Sequence, residues 1–243
     1  MPVTAVRLLP ERVADGPWNM AADDTLLHSA ASGKASLRFY RWSVPTLSLG
    51  YFQPSARVIS QPALSELAWL RRPSGGEALV HHHEWTYALA LPADRAWLPP
   101  GESWIGVIHQ VFRDLLRDLG VPADLCTQDL RIGDHLCFLH HTPGDLILAG
   151  HKIAGSAQRK LRGALLQHGG LLLAQSQHTP ALPGLAELHP GLDLLPFPRR
   201  ATEAIGRFFS WDIHPDDWSD EEQNLIQQQL EDRYLRQEWN FRR

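Results

Sequence analysis

The chain has 243 residues, with 23 Lys and Arg against 27 Asp and Glu, a net charge of −4, and is 44% hydrophobic and 21% charged. Such a chain can bury a sizeable globular core, and its acidic balance, without a long basic block, excludes a nucleic-acid groove. The apolar runs are too short for a bilayer, and Met1-Pro2-Val3-Thr4 lacks the features of a signal peptide, so a cytoplasmic protein with reduced thiols is expected.

Pro17 and the spacing of Met20, Ala21, Leu26 and Leu27 predict a helix over 17–31, ended by Gly33. Leu37 to Trp42 and Thr46 to Phe52 read as strands parted by Pro45, and Leu64 to Leu67 as a helical turn. Trp69 to Arg72 reads as a short strand leading into the turn Pro73-Ser74-Gly75-Gly76. Ala78 to His83 and Trp85 to Leu91 form a strand region, and Ile105, Ile108, Val111, Phe112, Leu115, Leu116 and Leu119 mark a helix over 104–119. Leu146 to Leu148, Lys152 to Gln158 and Ala164 to Leu173 predict a three-strand meander, turning at Gly150 and over 159–163. A short helix over 201–209 follows, and Ser219-Asp220-Glu221-Glu222 is a capping box opening a last helix to about Trp239. This order predicts an α+β fold, with a mixed, mainly antiparallel sheet flanked by helices, as a single domain over 1–243. The Pro-rich seam from Pro180 to Pro198 separates sheet from C-terminal helices rather than two domains.

Four constellations could carry chemistry. Arg71-Arg72-Pro73-Ser74-Gly75-Gly76 either brings backbone N–H groups and arginines to an anionic ligand or is a tight turn with solvated arginines. No Lys-Ser/Thr pair follows, so it is no P-loop. His81-His82-His83-Glu84 alternates on a strand, with His81 and His83 on one face. His81 can line a pocket; the run has no recognised metal spacing even with His140 or His141, so no metal is expected. Only Lys34, Lys152 and Lys160 are lysines, and Lys152 sits among small residues in Gly150-His151-Lys152-Ile153-Ala154-Gly155-Ser156-Ala157-Gln158. Cys137 lies 15 positions upstream (152 − 137), so a hairpin would bring its thiol to the ammonium, which favours the thiolate. Read separately, Cys137 is a small buried residue and Lys152 a solvated strand lysine. Cys126 and Cys137 have no zinc spacing, and a disulfide between them is disfavoured. In Gln167-His168-Gly169-Gly170, His168 reaches a site or satisfies a turn.

These motifs, in this order, are specific. With Trp18-Asn19-Met20-Ala21, Arg38-Phe39-Tyr40, Leu47 to Gln53, Thr86-Tyr87, Cys137-Phe138 and Glu238-Trp239-Asn240-Phe241, the chain resembles the biotin/lipoate protein ligase superfamily. Cys137-Phe138, Ala157-Gln158 and the Glu-Trp-Asn ending favour the octanoyltransferases of the LipM type. The resemblance implies transfer of an octanoyl group, without ATP or another cofactor, from acyl carrier protein to a lysine of a lipoyl domain such as the glycine-cleavage H protein. It implies Cys137 as the acyl-thioester nucleophile and Lys152 as the residue that activates the thiol and holds the acyl carbonyl. Arg72, Ser74, Gly75, Gly76, His81, Gly155, Ser156, Ala157, Gln158, His168 and Gly169 would bind substrate, with backbone donors from the Gly75-Gly76 and Gly155-Ser156 turns. Tyr40, Leu49, Leu79 and Val80 are candidates for the acyl slot, and a monomer is expected. The departures are His82 where the family has Asp, Glu77 after the glycine pair, and the loop Leu139 to Gly144. The alternatives are an ATP-dependent lipoate ligase, which needs no cysteine, an amidotransferase between lipoyl domains, and a non-catalytic acyl- or metal-binding protein.

Overall fold

The computed structural model describes residues 4–56, 60–62, 64–131 and 136–242. Its first elements are β1 (Thr4–Leu8), β2 (Arg12–Ala14), helix α1 (Gly16–Ala31), β3 (Ser36–Trp42), β4 (Thr46–Leu49), β5 (Ala68–Arg71), β6 (Leu79–His81) and β7 (Glu84–Leu91). Then come helix α2 (Trp104–Asp118), β8 (Asp124–Leu125), β9 (Leu130–Arg131), a 3₁₀ turn over Cys137–Leu139, β10 (His140–His141), β11 (Leu146–Leu148), β12 (His151–Leu161) and β13 (Ala164–Leu172). The chain continues through α3 (Leu185–Leu188), α4 (Phe197–Phe209), β14 (Trp211–Pro215), α5 (Asp220–Gln229), a π turn over Leu230–Tyr234 and α6 (Gln237–Asn240).

Among the described residues, a nine-stranded sheet runs β14-β1-β3-β7-β13-β12-β11-β8, with β2 beside β3. The pairings of β1 with β14 and β3, and of β2 with β3, are parallel. From β3 through β7, β13, β12 and β11 to β8 every pairing is antiparallel. This is the mixed, mainly antiparallel sheet that the strand order predicts. A second sheet, β5-β4-β6, has three strands, and β9 pairs with β10.

Period-two alternation sorts the central strands into two cores. On β7, Trp85, Tyr87, Leu89 and Leu91 join Ile108, Phe112 and Leu116 of α2, whereas Ala88 and Ala90 join Leu26 and Leu27 of α1. The same alternation on β13 sends Gln167 to the α2 face, where it bonds to Trp104 O, and His168 to the α1 face, where it meets Asp23. The two helices that cover these faces start on side-chain caps: Asp15 accepts from Trp18 N before α1, and Ser103 from Gly106 N before α2.

Several predicted elements differ in extent: the helix expected over 201–209 already begins at Phe197, where Pro198 falls in its first turn. The strand over 46–52 stops at Leu49, because Gly50 lies so close to the glycine turn that a Cβ there would sit 1.8 Å from Gly76 O. β12 runs on to Leu161, leaving only Arg162 and Gly163 as the turn expected over 159–163. The final helix breaks after Gln229, where tertiary contacts outweigh helical propensity. Arg233 pairs with Asp24, which also accepts from the Tyr234 hydroxyl, and Trp239 and Asn240 turn back onto β5. Gly50→Ala should therefore destabilise the fold by about 3 kcal/mol, because backbone has to move. A urea titration with an unchanged midpoint would show that the close approach is not required.

Candidate active site

The cleft lies between the small sheet and the α1 face of the large one. Arg72, Gly76, Leu79 and His81 line it from the small sheet's side. Tyr40, Thr86, Gly155, Ser156, Ala157, His168, Gly169 and Gly170 line it from the large sheet, and Met20 from α1. Cys137 and Phe138 close one side from the 3₁₀ turn. The lining is overwhelmingly apolar, which suits a hydrocarbon chain. Of the predicted acyl-slot residues Tyr40 and Leu79 face the cleft, whereas Leu49 and Val80 pack in the small sheet's own core.

Cys137 and Lys152 meet as the sequence predicts. The Lys152 ammonium lies 3.8 Å from Cys137 Sγ. It is buried and donates to Asp145 Oδ2 at 2.7 Å, His140 O at 3.0 Å and Cys137 O at 3.3 Å. Asp145 Oδ2 also accepts from the Thr142 amide at 2.7 Å and its hydroxyl at 2.9 Å. Lys152 reaches across β12 because residue 155 is glycine; a Cβ there would meet the lysine Cε at 2.5 Å. Cys137 is held in place by its own amide, which donates to Ala78 O at 2.8 Å.

A chain of hydrogen bonds with assigned protons supports this arrangement from the α2 face. His109 Nδ1 lies 2.6 Å from Gly144 O, which only accepts, so Nδ1 carries the proton and Nε2 accepts from the Ser156 hydroxyl at 2.7 Å. Tyr87 OH then donates to Ser156 Oγ at 2.8 Å and accepts from Gln167 Nε2 at 2.6 Å. Burial pushes the His109 imidazole down to about 4, against the smaller opposing pull of the Gly144 carbonyl. Ser156 therefore has its hydroxyl proton committed to His109. Gly155 and Ser156 lie inside β12 and form no turn, which corrects that part of the expectation.

Two further histidines form relays along the cleft wall. His168 Nδ1 lies 2.7 Å from Asp23 Oδ2, and its Nε2 lies 2.5 Å from Ser74 Oγ. Burial works against ionisation of Asp23, but Arg38, helped by His168 and Tyr40, holds its carboxyl below the usual range. His81 lies between Ser48 Oγ and Glu84 Oε1, 2.8 Å from each, with the Trp42 ring stacked on it at 3.8 Å. The glycine turn is wrapped around the Arg72 guanidinium, which donates to Gly75 O and Glu77 O, both at 2.7 Å.

The histidine run does not keep its predicted alternation. The strand ends at His81, and His82 and His83 stack on each other at 3.6 Å in the following turn. Among the described residues no group of His, Cys, Asp and Glu has metal-binding geometry. Gln158 bonds to Gln167 and lies off the cleft, while Ser74 acts on it through His168. Cys126 and Cys137 are both free thiols. Asp145, His109 and Asp23 escape the sequence reading. Their signals were faint: a buried acid in the apolar helix α1, and a polar break in the buried face of α2.

The chain belongs to the lipoyl protein ligase A/B catalytic domain family, whose model matches residues 15–181. It is 32% identical to octanoyltransferase LipM of Symbiobacterium thermophilum, over 98% of both chains. It is 36% identical to octanoyltransferase LipM of Moorella thermoacetica, over 71% of this chain and 67% of that one. The fold matches a crystal structure of lipoate-protein ligase A bound with ATP at a TM-score of 0.81 and 19% identity, covering 98% and 99% of the two chains.

The buried imidazole has a consequence for stability. Unfolded, His109 takes up a proton near its ordinary value of 6.5; folded, it refuses one until about pH 4. Between those values the unfolded chain binds more protons, so stability drops as the pH is lowered from about 6.5 and levels off below 4, a loss of about 3 kcal/mol from this residue. His109→Gln should lower stability at pH 7 but flatten this acid slope in urea titrations. An unaltered slope would contradict the neutral assignment.

Proposed function

We propose that this protein moves an octanoyl group from acyl carrier protein to the lysine of a lipoyl domain, through a thioester on Cys137. The observation that carries the proposal is the Lys152 ammonium 3.8 Å from Cys137 Sγ at the wall of an apolar cleft. In the first half-reaction the Cys137 thiolate attacks the thioester carbonyl, the new C–S bond forms, and the carrier's thiolate leaves. In the second, the acceptor amine attacks the Cys137 thioester, the C–N bond forms and the Cys137 thiolate leaves. The amine's proton ends on the thiol released overall. A thiolate suits both halves, being nucleophile in one and leaving group in the other.

Negative charge builds on the acyl oxygen in each half. Lys152 is placed to meet it by exchanging its longest hydrogen bond to oxygen, the 3.3 Å contact to Cys137 O, for the oxyanion. Asp145 and the His140 carbonyl keep the ammonium in position during the exchange. The glycine H protein is one acceptor of this kind.

Incubation with octanoyl carrier protein, without acceptor, should add one octanoyl mass to the intact protein, and Cys137→Ser should abolish it. No adduct, with activity only on addition of ATP and free octanoate, would replace this reading by the ligase one. Lys152→Arg should lower transfer at least about 100-fold with an unchanged circular dichroism spectrum, because a planar fork does not fit the three acceptors of an ammonium. Full activity would make Lys152 a bystander.

A further inference from the structure

Among the described residues β5 is an edge strand of the small sheet, and the C-terminus takes up the open side of its last residue, Arg71. Arg71 N donates to Asn240 Oδ1 at 2.9 Å, and Arg71 O accepts from Trp239 Nε1 at 2.8 Å. Two side chains thus do for Arg71 what another strand would do with its backbone. The Asn240 carbonyl also accepts from the guanidinium, from Nη2 at 3.0 Å and Nε at 3.2 Å. The buried Arg71 side chain then spans to the loop after β4, where Nη1 donates to Gly50 O and Gln53 O, both at 2.7 Å.

That loop bears on the glycine turn. Tyr51 N donates to Ser74 O at 2.8 Å, and Arg72 N to Leu49 O at 2.9 Å. Gly50 packs so closely on Gly76 O that neither segment can shift without the other. The turn in its place presents Arg72 and Gly76 to the cleft and Ser74 to His168. Trp239 is itself held, edge-on to Tyr51 at 5.8 Å and under the Arg233 guanidinium at 4.7 Å. The thiol and its lysine hang on other supports: Lys152 on Asp145 and the His140 carbonyl, and Cys137 N on Ala78 O.

We infer that Trp239 and Asn240 are positioning residues for the acyl donor: by gripping Arg71 they set the shape of the glycine turn, and with it the affinity for an octanoyl thioester. The inference deepens the octanoyl-transfer reading and rests on it. Because the grip acts on the binding wall and not on the Cys137/Lys152 pair, it governs donor saturation rather than the chemical step.

The test compares Asn240→Ala, which leaves the Arg71 amide without its acceptor, with Asn240→Asp, which keeps one. Single-turnover acylation of Cys137 is followed by intact mass with octanoyl carrier protein varied. Asn240→Ala should raise the half-saturating donor concentration about tenfold, with the maximal rate within about threefold of the parent, and Asn240→Asp should restore both. Amide hydrogen exchange in Asn240→Ala should speed up about tenfold over 50–53 and 74–77 and stay as in the parent over β7 and β13. Unchanged donor saturation, a fall in the maximal rate alone, or faster exchange throughout the large sheet would each overturn the inference. If Asn240→Ala fails to fold, Trp239→Phe, which loses the indole N–H to Arg71 O, is read by the same criteria. Failure of the underlying reading looks different, as a parent protein that takes up no octanoyl group from the carrier; the exchange pattern then decides the grip on the turn alone.

Discussion

Lys152 and Asp145 face each other at 2.7 Å inside the protein, and much of the site's surroundings serves to hold that contact. A buried ion pair gains little unless its remaining donors and acceptors are satisfied. Here they are: Thr142 gives two donors to the carboxylate, and two carbonyls accept from the ammonium. Gly155 leaves room for the lysine stem, and His109 fixes the Gly144 carbonyl, one residue before Asp145. The pair fixes a cation beside the thiol in a place that water barely reaches, so an oxyanion formed there meets a donor already in position.

The large sheet divides the work between its faces. The α2 face carries the Gln167-Tyr87-Ser156-His109 chain, which stiffens β12 from behind. The α1 face carries the cleft and the Asp23-His168-Ser74 relay, which ties helix, sheet and glycine turn together. Adjacent residues such as Gln167 and His168 serve opposite faces, so one short motif supports both layers. The C-terminal turn completes the small sheet, where Asn240 and Trp239 bond to the amide and carbonyl of Arg71, next to Arg72.

Much of this was legible in the sequence because strong periodicities are local. The spacing of Ile108, Phe112 and Leu116 marks α2, and the Pro17 start marks α1. Lys152 could be singled out because lysine is rare in an arginine-preferring chain and sits among small residues. Its hydrogen-bonding environment could not, because Asp145 and His140 reach the site through turns and pairings with no periodic signature, and His109 shows only as a polar residue on the buried face of α2. The π turn at Leu230–Tyr234 also escaped, since its cause is the distant Asp24. The short strands β1, β2 and β14 join the sheet by parallel pairing with residues far along the chain, which no local pattern announces.

The central claim is that acyl flux passes through Cys137 without nucleotide. It is tested most directly by a single-turnover chase. Protein loaded with radiolabelled octanoyl carrier protein, freed of carrier by gel filtration and mixed with an apo lipoyl domain without ATP, should pass its label to the acceptor lysine as the Cys137 adduct decays at the same rate. Label that stays on the protein, or reaches the acceptor only when ATP is added, would contradict the account.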